Sequence, residues 1–482
     1  MFLPLLAAAS TSLWPFGILA ISIAAVILMI SVFRLHPFLA LILAAFLAGF
    51  LTPEFPPGTV DGYDAQANQW VAAVELTSVE FGKAAKSVAI SIGLAAIVGL
   101  CLMESGAADK VVRRFLAVFG EKRAALAILA STYFLSIPIF FDTMFMLMVP
   151  LAMALRLRTG KDYLLYVMCI CCGGVMTHSL TIPHPGPLYM VDAFKVDAGA
   201  SLLWGILAGI IPCGLGYFVA KIINARTEVP LRDTPGATLE ELRGISDKPE
   251  SELPSFVSSI APVILPILLI ALASFAKLAY PTVAPEALPE WAKIVLFLGN
   301  KNVALMLGTM IALWVLARQR KARLRDVQSL LGPPIETAGV IILITAAGGA
   351  FGGMIRNAGV GQAIEQVTAG SGISLILLGW IIAVVMRIAV GSATVAMITA
   401  SSLLAPMLMG VELPYHKMYL FLGVGFGAFS CSWMNDSGFW VVGRLSGMTE
   451  RETLRSWTVL LTVNSVIGLI LTLIASKLLP LA

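Results

Sequence analysis

A single carboxylic acid interrupts one of the most apolar stretches of the chain. Asp142 follows Phe140 and Phe141 and precedes the segment Met144–Met146. Ionisable side chains are costly in apolar segments, so each is a candidate for function. Burial disfavours the charged form of a carboxyl group, and the sequence therefore predicts that Asp142 carries a coupled proton. A structural ion pair or a helix cap is the alternative.

Two histidines lie in the segment Thr177–Pro187, which is rich in hydroxyl groups and prolines. Histidine exchanges protons near neutral pH and donates hydrogen bonds to carboxylates and hydroxyls. We therefore predict that His178 and His184 contact a substrate, with helix-end histidines as the alternative. Their spacing does not place them on one helix face, as a zinc-binding pair at i and i+4 would require.

An arginine precedes a run of small residues in the second half of the chain. Arg387 is followed by Ile388–Thr394, in which Ser392 and Thr394 supply hydroxyl groups. A buried guanidinium beside open backbone amides is suited to hold a carboxylate through two parallel hydrogen bonds. We predict that Arg387, Ser392 and Thr394 bind substrate. The alternative for Arg387 is a side chain that extends to the membrane interface.

A polar break, Asn435–Asp436–Ser437, comes before Gly438. Asn435 is predicted to bond to substrate hydroxyls, and Asp436 is a second candidate for the coupled proton. Oxygen atoms of this kind can also ligate a cation. A helix-capping role suits the same residues.

The composition identifies the elements that must position these residues. Of the 482 residues, 59% are hydrophobic and only 12% are charged, and the mean hydropathy is +0.91. Apolar runs long enough to cross a bilayer recur, and they do not alternate as barrel strands do. We predict an all-α polytopic membrane protein with roughly 10 to 14 spans, retaining its first apolar segment. The six cysteines lack the spacing of a metal site.

The charges of the connecting segments predict their sides of the membrane. Segment 52–69 contains no Lys or Arg, whereas 104–123 and 318–326 each contain five. The positive-inside rule places the first segment outside and the other two in the cytoplasm. The segment 355–372 contains only one Arg and reads as external.

The motifs before and after the polar segment 224–255 correspond at an offset near 250 residues. The interruptions at 137–150 and 177–187 match those at 387–406 and 430–440, and the matching connecting segments have opposite charge. This pattern predicts two inverted-topology repeats with broken helices and re-entrant hairpins. The predicted boundaries are 1–223 for the first half, 224–255 for a cytoplasmic linker and 256–482 for the second half.

The chain resembles the gluconate:proton symporter (gluconate permease) family of the ion transporter superfamily. The resemblance runs through His36–Leu41, Phe140–Asp142, Pro183–Pro187, Gly348–Phe351, Arg387–Thr394 and Asn435–Trp440. It implies proton-coupled uptake of gluconate, related sugar acids or, in some members, D-serine. It also implies a homodimer with a scaffold part and a mobile part that carries two re-entrant hairpins and moves by an elevator-like step. One departure is Trp433, which stands where the family usually has histidine.

These observations predict a multi-pass transporter of the inner membrane that imports gluconate or a related small hydroxylated carboxylate with a proton. A sodium-coupled carboxylate carrier or a D-serine carrier is the alternative. An intramembrane hydrolase would need a nucleophile with a base, or a metal motif such as His-Glu-x-x-His, and the sequence has neither. The expected partners are the carboxylate, the proton or sodium, the lipid bilayer and a second copy of the chain. We expect no enzyme activity, cofactor, metal or nucleic acid.

Overall fold

The computed structural model describes the chain in segments: residues 14–53, 55, 68–232, 249–280, 283, 287–322, 324–327, 330–360, 374–408, 413–434 and 436–479. All regular elements of these segments are helices, as predicted.

Among the described residues, nine α-helices lead up to the polar segment at 224–255, and the last of them ends inside it. They are α1 (Trp14–Ser31), α2 (Pro37–Leu51), α3 (Gln69–Glu104), α4 (Ala107–Phe119), α5 (Ala124–Leu135), α6 (Phe141–Thr159), α7 (Tyr163–Leu180), α8 (Pro185–Phe194) and α9 (Ala198–Arg226).

The α-helices described after that segment are numbered α10 to α20. They are α10 (Phe256–Ala279), α11 (Glu290–Leu298), α12 (Lys301–Gln319), α13 (Leu324–Val327), α14 (Gly332–Asn357), α15 (Leu375–Val390), α16 (Ala393–Met407), α17 (Met418–Gly427), α18 (Ser437–Leu445), α19 (Glu450–Thr453) and α20 (Val459–Leu478). A π-helical turn, Leu454–Thr458, joins α19 to α20.

Within the part of the chain that the structure describes, seven helical stretches are long and apolar enough to cross a membrane: Gln69–Glu104, Tyr163–Phe194, Ala198–Arg226, Phe256–Ala279, Lys301–Gln319, Gly332–Asn357 and Glu450–Leu478. Six further apolar helices are shorter. The prediction of an all-α polytopic membrane protein is confirmed.

The shorter helices arise where the predicted breaks occur. The chain leaves helical geometry between Leu135 and Phe141, and it turns at Gly391 between α15 and α16 with φ = +81°. Glycine adopts this left-handed conformation without the steric cost that other residues incur. The α7–α8 pair is interrupted at 181–184, and the α17–α18 pair at 428–436. Residues 141–150 are helical, so the first break is shorter than the predicted 137–150.

The helices α3 and α14 pack closely through glycines. A Cβ atom on Gly349 would overlap the methyl group of Ala84, and one on Gly353 would overlap Glu80. Small residues let helix backbones approach to this distance in a membrane protein. Gly349 and Gly353 therefore lie on the face of α14 that packs against α3.

Both ends of the predicted linker 224–255 form ion pairs with helices. Residues 233–248 lie outside the described residues. Arg232 donates to the two carboxylate oxygens of Glu452 at 2.7 and 2.9 Å, which joins the end of the first half to α19. At the other end, Lys110 of α4 forms an ion pair with Glu250 at 2.5 Å. This contact holds the pKa of Glu250 below its usual range.

Candidate functional site

The four helix interruptions converge on one cavity of about 240 Å³, which we call the central cavity. It brings together residues from both halves of the chain. Its walls include Phe140, Phe141, Asp142, His178, Pro185, Ile341, Ile344, Arg387, Ser392, Thr394, Phe429, Asp436, Ser437, Gly438 and Trp457.

Four helices begin at the wall of the central cavity, because each interruption ends where α6, α8, α16 or α18 starts. Two of these N-termini are capped by a side chain: Ser392 accepts from the N–H of Val395 at 3.3 Å, and Asp436 accepts from the N–H of Gly438 at 2.9 Å. No side chain caps α6 or α8. Helix N-termini carry partial positive charge, so their convergence favours an anionic ligand.

Arg387 and Asp436 form a buried ion pair in the wall of the central cavity. The two residues are only 3% and 5% exposed. Arg387 also donates from Nη1 to the carbonyl oxygen of Gly391 at 2.6 Å, whereas its buried Nε atom has no partner. The predicted substrate clamp is therefore already bonded to one of the predicted proton carriers.

Two further side chains support Asp436 through consecutive hydrogen bonds. Ser432 donates to the carboxylate of Asp436, and the indole N–H of Trp457 donates to Ser432 Oγ at 2.6 Å. Trp457 is almost fully buried in the π-helical turn and packs against the ring of Phe141 at 5.4 Å. Trp457 could not be predicted from the sequence, because an aromatic residue in an apolar helix carries no distinguishing pattern.

Asp142 lies in the first turn of α6, and its side chain is exposed to the central cavity. No described cation lies within salt-bridge distance of its carboxyl group. The alternative of a structural ion pair therefore has no support among the described residues. Asp142 faces the same cavity as Asp436, which is already paired with Arg387.

The two predicted histidines have different positions. His178 lines the central cavity, and its Nδ1 atom is buried without a partner. His184 lies behind it, with the ring centroids 4.7 Å apart, and donates from Nε2 to the carbonyl oxygen of Ser136 at 2.6 Å. His184 is not part of the cavity wall, so it supports the tip between α5 and α6 and contacts His178.

Ser392 and Thr394 line the central cavity as predicted neighbours of Arg387. Asn435 lies outside the described residues. Trp433 is 43% exposed, and its indole N–H donates to the carbonyl oxygen of Ile388 at 3.2 Å. It does not line the cavity, so its side chain supports the end of α15 instead.

A second cavity of about 230 Å³ lies between α3, α6 and α14, on the far side of Phe140. The side chain of Phe140 lines both this cavity and the central one. Its other walls are mainly apolar and include Met103 and Pro333, which lie beside the two basic segments 104–123 and 318–326.

Comparisons with known proteins agree with this architecture. The model of the GntP family permease matches residues 14–478. A gluconate permease of Pseudomonas aeruginosa is 32% identical over 95% of this chain and 96% of its own length. The Gnt-II system L-idonate transporter of Escherichia coli K12 is 29% identical over 95% of this chain and 98% of its own length.

Solved structures share the fold at low sequence identity. The YdaH transporter of Alcanivorax borkumensis superposes with a TM-score of 0.63 and 14% identity, covering 92% of this chain and 98% of its own. MtrF of Neisseria gonorrhoeae, which belongs to a class of antimetabolite efflux pumps, gives a TM-score of 0.62 and 16% identity, with 95% and 97% covered. Both are transporters with the same overall arrangement of helices.

Proposed function

The chain belongs to the GntP family of permeases and is thus a multi-pass transporter of the inner membrane, and from that premise we propose that it imports gluconate or a related small hydroxylated carboxylate together with a proton. Two of its relatives carry names that refer to gluconate and L-idonate, both hydroxylated six-carbon monocarboxylates.

The observation that carries the proposal is the convergence of four helix N-termini and Arg387 on one small cavity. The partial positive charge of the termini and the guanidinium of the cavity-lining Arg387 both favour a carboxylate. The volume of about 240 Å³ is below the range of pockets for drug-sized ligands, which suits a smaller substrate. His178, Ser392 and Thr394 supply polar atoms for hydroxyl groups.

Charge balance supports coupling to a proton. The Arg387–Asp436 pair is neutral overall, so ionised Asp142 would leave the described wall of the cavity with a net negative charge. A carboxylate that enters such a site is repelled, and the repulsion is strong where water is largely excluded. Protonation of Asp142 removes this repulsion. We therefore assign Asp142 as the carrier of the coupled proton, with substrate binding favoured after the proton has bound.

The proposal includes movement of the site across the membrane. Helix α14 contributes Ile341 and Ile344 to one wall of the central cavity, while the interrupted helices form the rest. Close packing of α3 against α14 makes these two helices suitable as a fixed scaffold. An elevator-like displacement of the interrupted helices along this scaffold, within a homodimer, would change the side to which the cavity opens.

The test is uptake of radiolabelled gluconate into proteoliposomes under an imposed pH gradient. Wild type should accumulate gluconate without sodium. Asp142→Asn should lose accumulation driven by the pH gradient while it still exchanges gluconate across the membrane, because the amide mimics the protonated carboxyl group. Glu290→Gln, which removes a carboxylate exposed elsewhere on the protein, is the control.

Three results would contradict the proposal. Accumulation that requires sodium at fixed pH would favour the sodium-coupled alternative. Accumulation of D-serine but of no sugar acid would assign a different substrate. Unchanged pH-driven accumulation in Asp142→Asn would remove Asp142 from the coupling mechanism.

A further inference from the structure

A polar cavity of about 290 Å³, which we call the outer cavity, lies apart from the central cavity and shares no lining residue with it. It is formed by α3, α8, α14 and α16. Five of its lining residues are charged: Glu80, Lys83, Asp192, Lys195 and Arg356.

Two helices connect the outer cavity to the central one. Thr394 at the start of α16 lines the central cavity, and Ser402 of the same helix lines the outer cavity. The two residues are eight positions apart in the α-helix, which is roughly 12 Å along the helix axis. Helix α8 also reaches both cavities, since Pro185 lines the central cavity and Tyr189 lines the outer cavity. Tyr189 and Ser402 share a hydrogen bond of 2.8 Å, which joins α8 to α16 in the wall of the outer cavity.

The outer cavity is on the side of the membrane away from the basic segments. Helix α14 begins after the basic segment 318–326, and Arg356 lies at its other end. Helix α3 leads into the basic segment 104–123, and Glu80 lies toward its other end. The positive-inside rule therefore places both residues, and the cavity that they line, toward the outside of the cell.

The described wall of the outer cavity has an excess of positive charge, with three cations and two carboxylates. Glu80 bridges Lys83 at 2.8 Å and Arg356 at 2.7 Å. Each of these contacts uses one of several N–H groups on the cation, so donors remain for another ligand. The side chains of Lys83 and Lys195 are 62% and 77% exposed, and Lys195 is only loosely paired with Asp192 at 3.8 Å.

We infer that the outer cavity is an external capture site, which binds the carboxylate of the transported acid before the acid reaches the central cavity. The inference rests on the proposed function, since it assumes a small carboxylate substrate that enters from outside. Exposed cations beside a transport route raise the local concentration of an anion, and this effect weakens as salt screens the charges. The site should therefore affect uptake from dilute substrate and leave the capacity of the central cavity unchanged.

The experiment measures the initial rate of gluconate uptake by intact cells at low and at high ionic strength. Lys83→Gln should raise the KM for uptake about threefold to tenfold at low ionic strength with the maximal rate unchanged, and high salt should reduce the difference. Lys83→Arg keeps the charge and should resemble wild type. Lys195→Gln, at a highly exposed position, should act in the same direction and provides a second measurement if Lys83→Gln fails to fold.

Lys293→Gln is the matched control. Lys293 pairs with Glu290 three residues away at 2.9 Å, as Lys83 pairs with Glu80, and it lies in α11 outside the cavity. If Lys83→Gln and Lys195→Gln have the KM and salt dependence of Lys293→Gln, the capture site is wrong while carboxylate transport stands. If wild type transports no sugar acid at all, the proposed function itself fails.

Discussion

The buried pair between Arg387 and Asp436 gives Arg387 two roles that a single substitution cannot separate. Its guanidinium neutralises Asp436 and bonds to Gly391, and the residue also lines the cavity proposed for the substrate carboxylate. Removing one partner of a buried ion pair typically costs about 3–5 kcal/mol, because the other charge stays buried and unpaired. Loss of binding in Arg387→Ala could therefore reflect either role.

A double substitution distinguishes the two roles. We expect Arg387→Ala to lower the melting temperature and to abolish measurable gluconate binding. Arg387→Ala combined with Asp436→Asn should recover much of the melting temperature, since no unpaired charge remains, but it should not recover binding. Melting in detergent and calorimetric titration with gluconate measure the two effects.

Arg387→Lys should keep the fold and bind gluconate about ten- to a hundredfold more weakly, because an ammonium cannot bond to Asp436, Gly391 and a substrate carboxylate with the planar geometry of a guanidinium. Binding by Arg387→Ala within about threefold of wild type would show that Arg387 does not hold the carboxylate.

At the scale of elements, two glycines of α14 have very different surroundings. A methyl group on Gly349 would overlap that of Ala84 in α3, and a methyl group cannot rotate away. A methyl group on Gly339 would have no atom within 4 Å. The contact between α3 and α14 therefore depends on specific glycines and not on the flexibility of the helix as a whole.

We expect Gly349→Ala to destabilise the protein by about 1–3 kcal/mol, as other overpacking substitutions do. Gly339→Ala should be neutral or stabilising by up to about 1 kcal/mol, because alanine favours helices. Thermal melting of the two purified variants, followed by size-exclusion chromatography, compares them directly. Equal melting temperatures would mean that α3 and α14 are not closely packed in the membrane.

At the scale of the whole molecule, the proposed inverted repeat requires that matching segments of the two halves lie on opposite sides of the membrane. We expect Lys321→Cys to react only with membrane-permeant thiol reagents in intact cells and Ser371→Cys to react also with impermeant ones. The native cysteines are buried except for the partly exposed Cys431, so wild type gives the background. Labelling of both engineered positions from the same side would exclude the inverted repeat.

Placing an ionisable group within an apolar helix costs free energy however that helix packs. Much of the site could therefore be predicted from single residues. This argument identified Asp142, Arg387 and His178, and each of them lines the central cavity. The small and polar breaks around Gly391 and Asp436 were visible for a similar reason, since irregular backbone inside a membrane must be buried or line a cavity. The helical class followed from the long apolar runs alone.

Only the tertiary structure decided which of these residues bond to one another. Arg387 and Asp436 are 49 residues apart, and their pairing depends on how the bundle places the end of α15 beside the start of α18. Packing also turns His184 toward Ser136, brings Trp457 into the cavity wall, and joins Tyr189 to Ser402 beside the outer cavity. Sequence patterns indicate the free-energy cost of placing a polar or ionisable side chain in an apolar helix. The contacts between helices depend on distances set by close packing of the whole bundle, and no local pattern contains them.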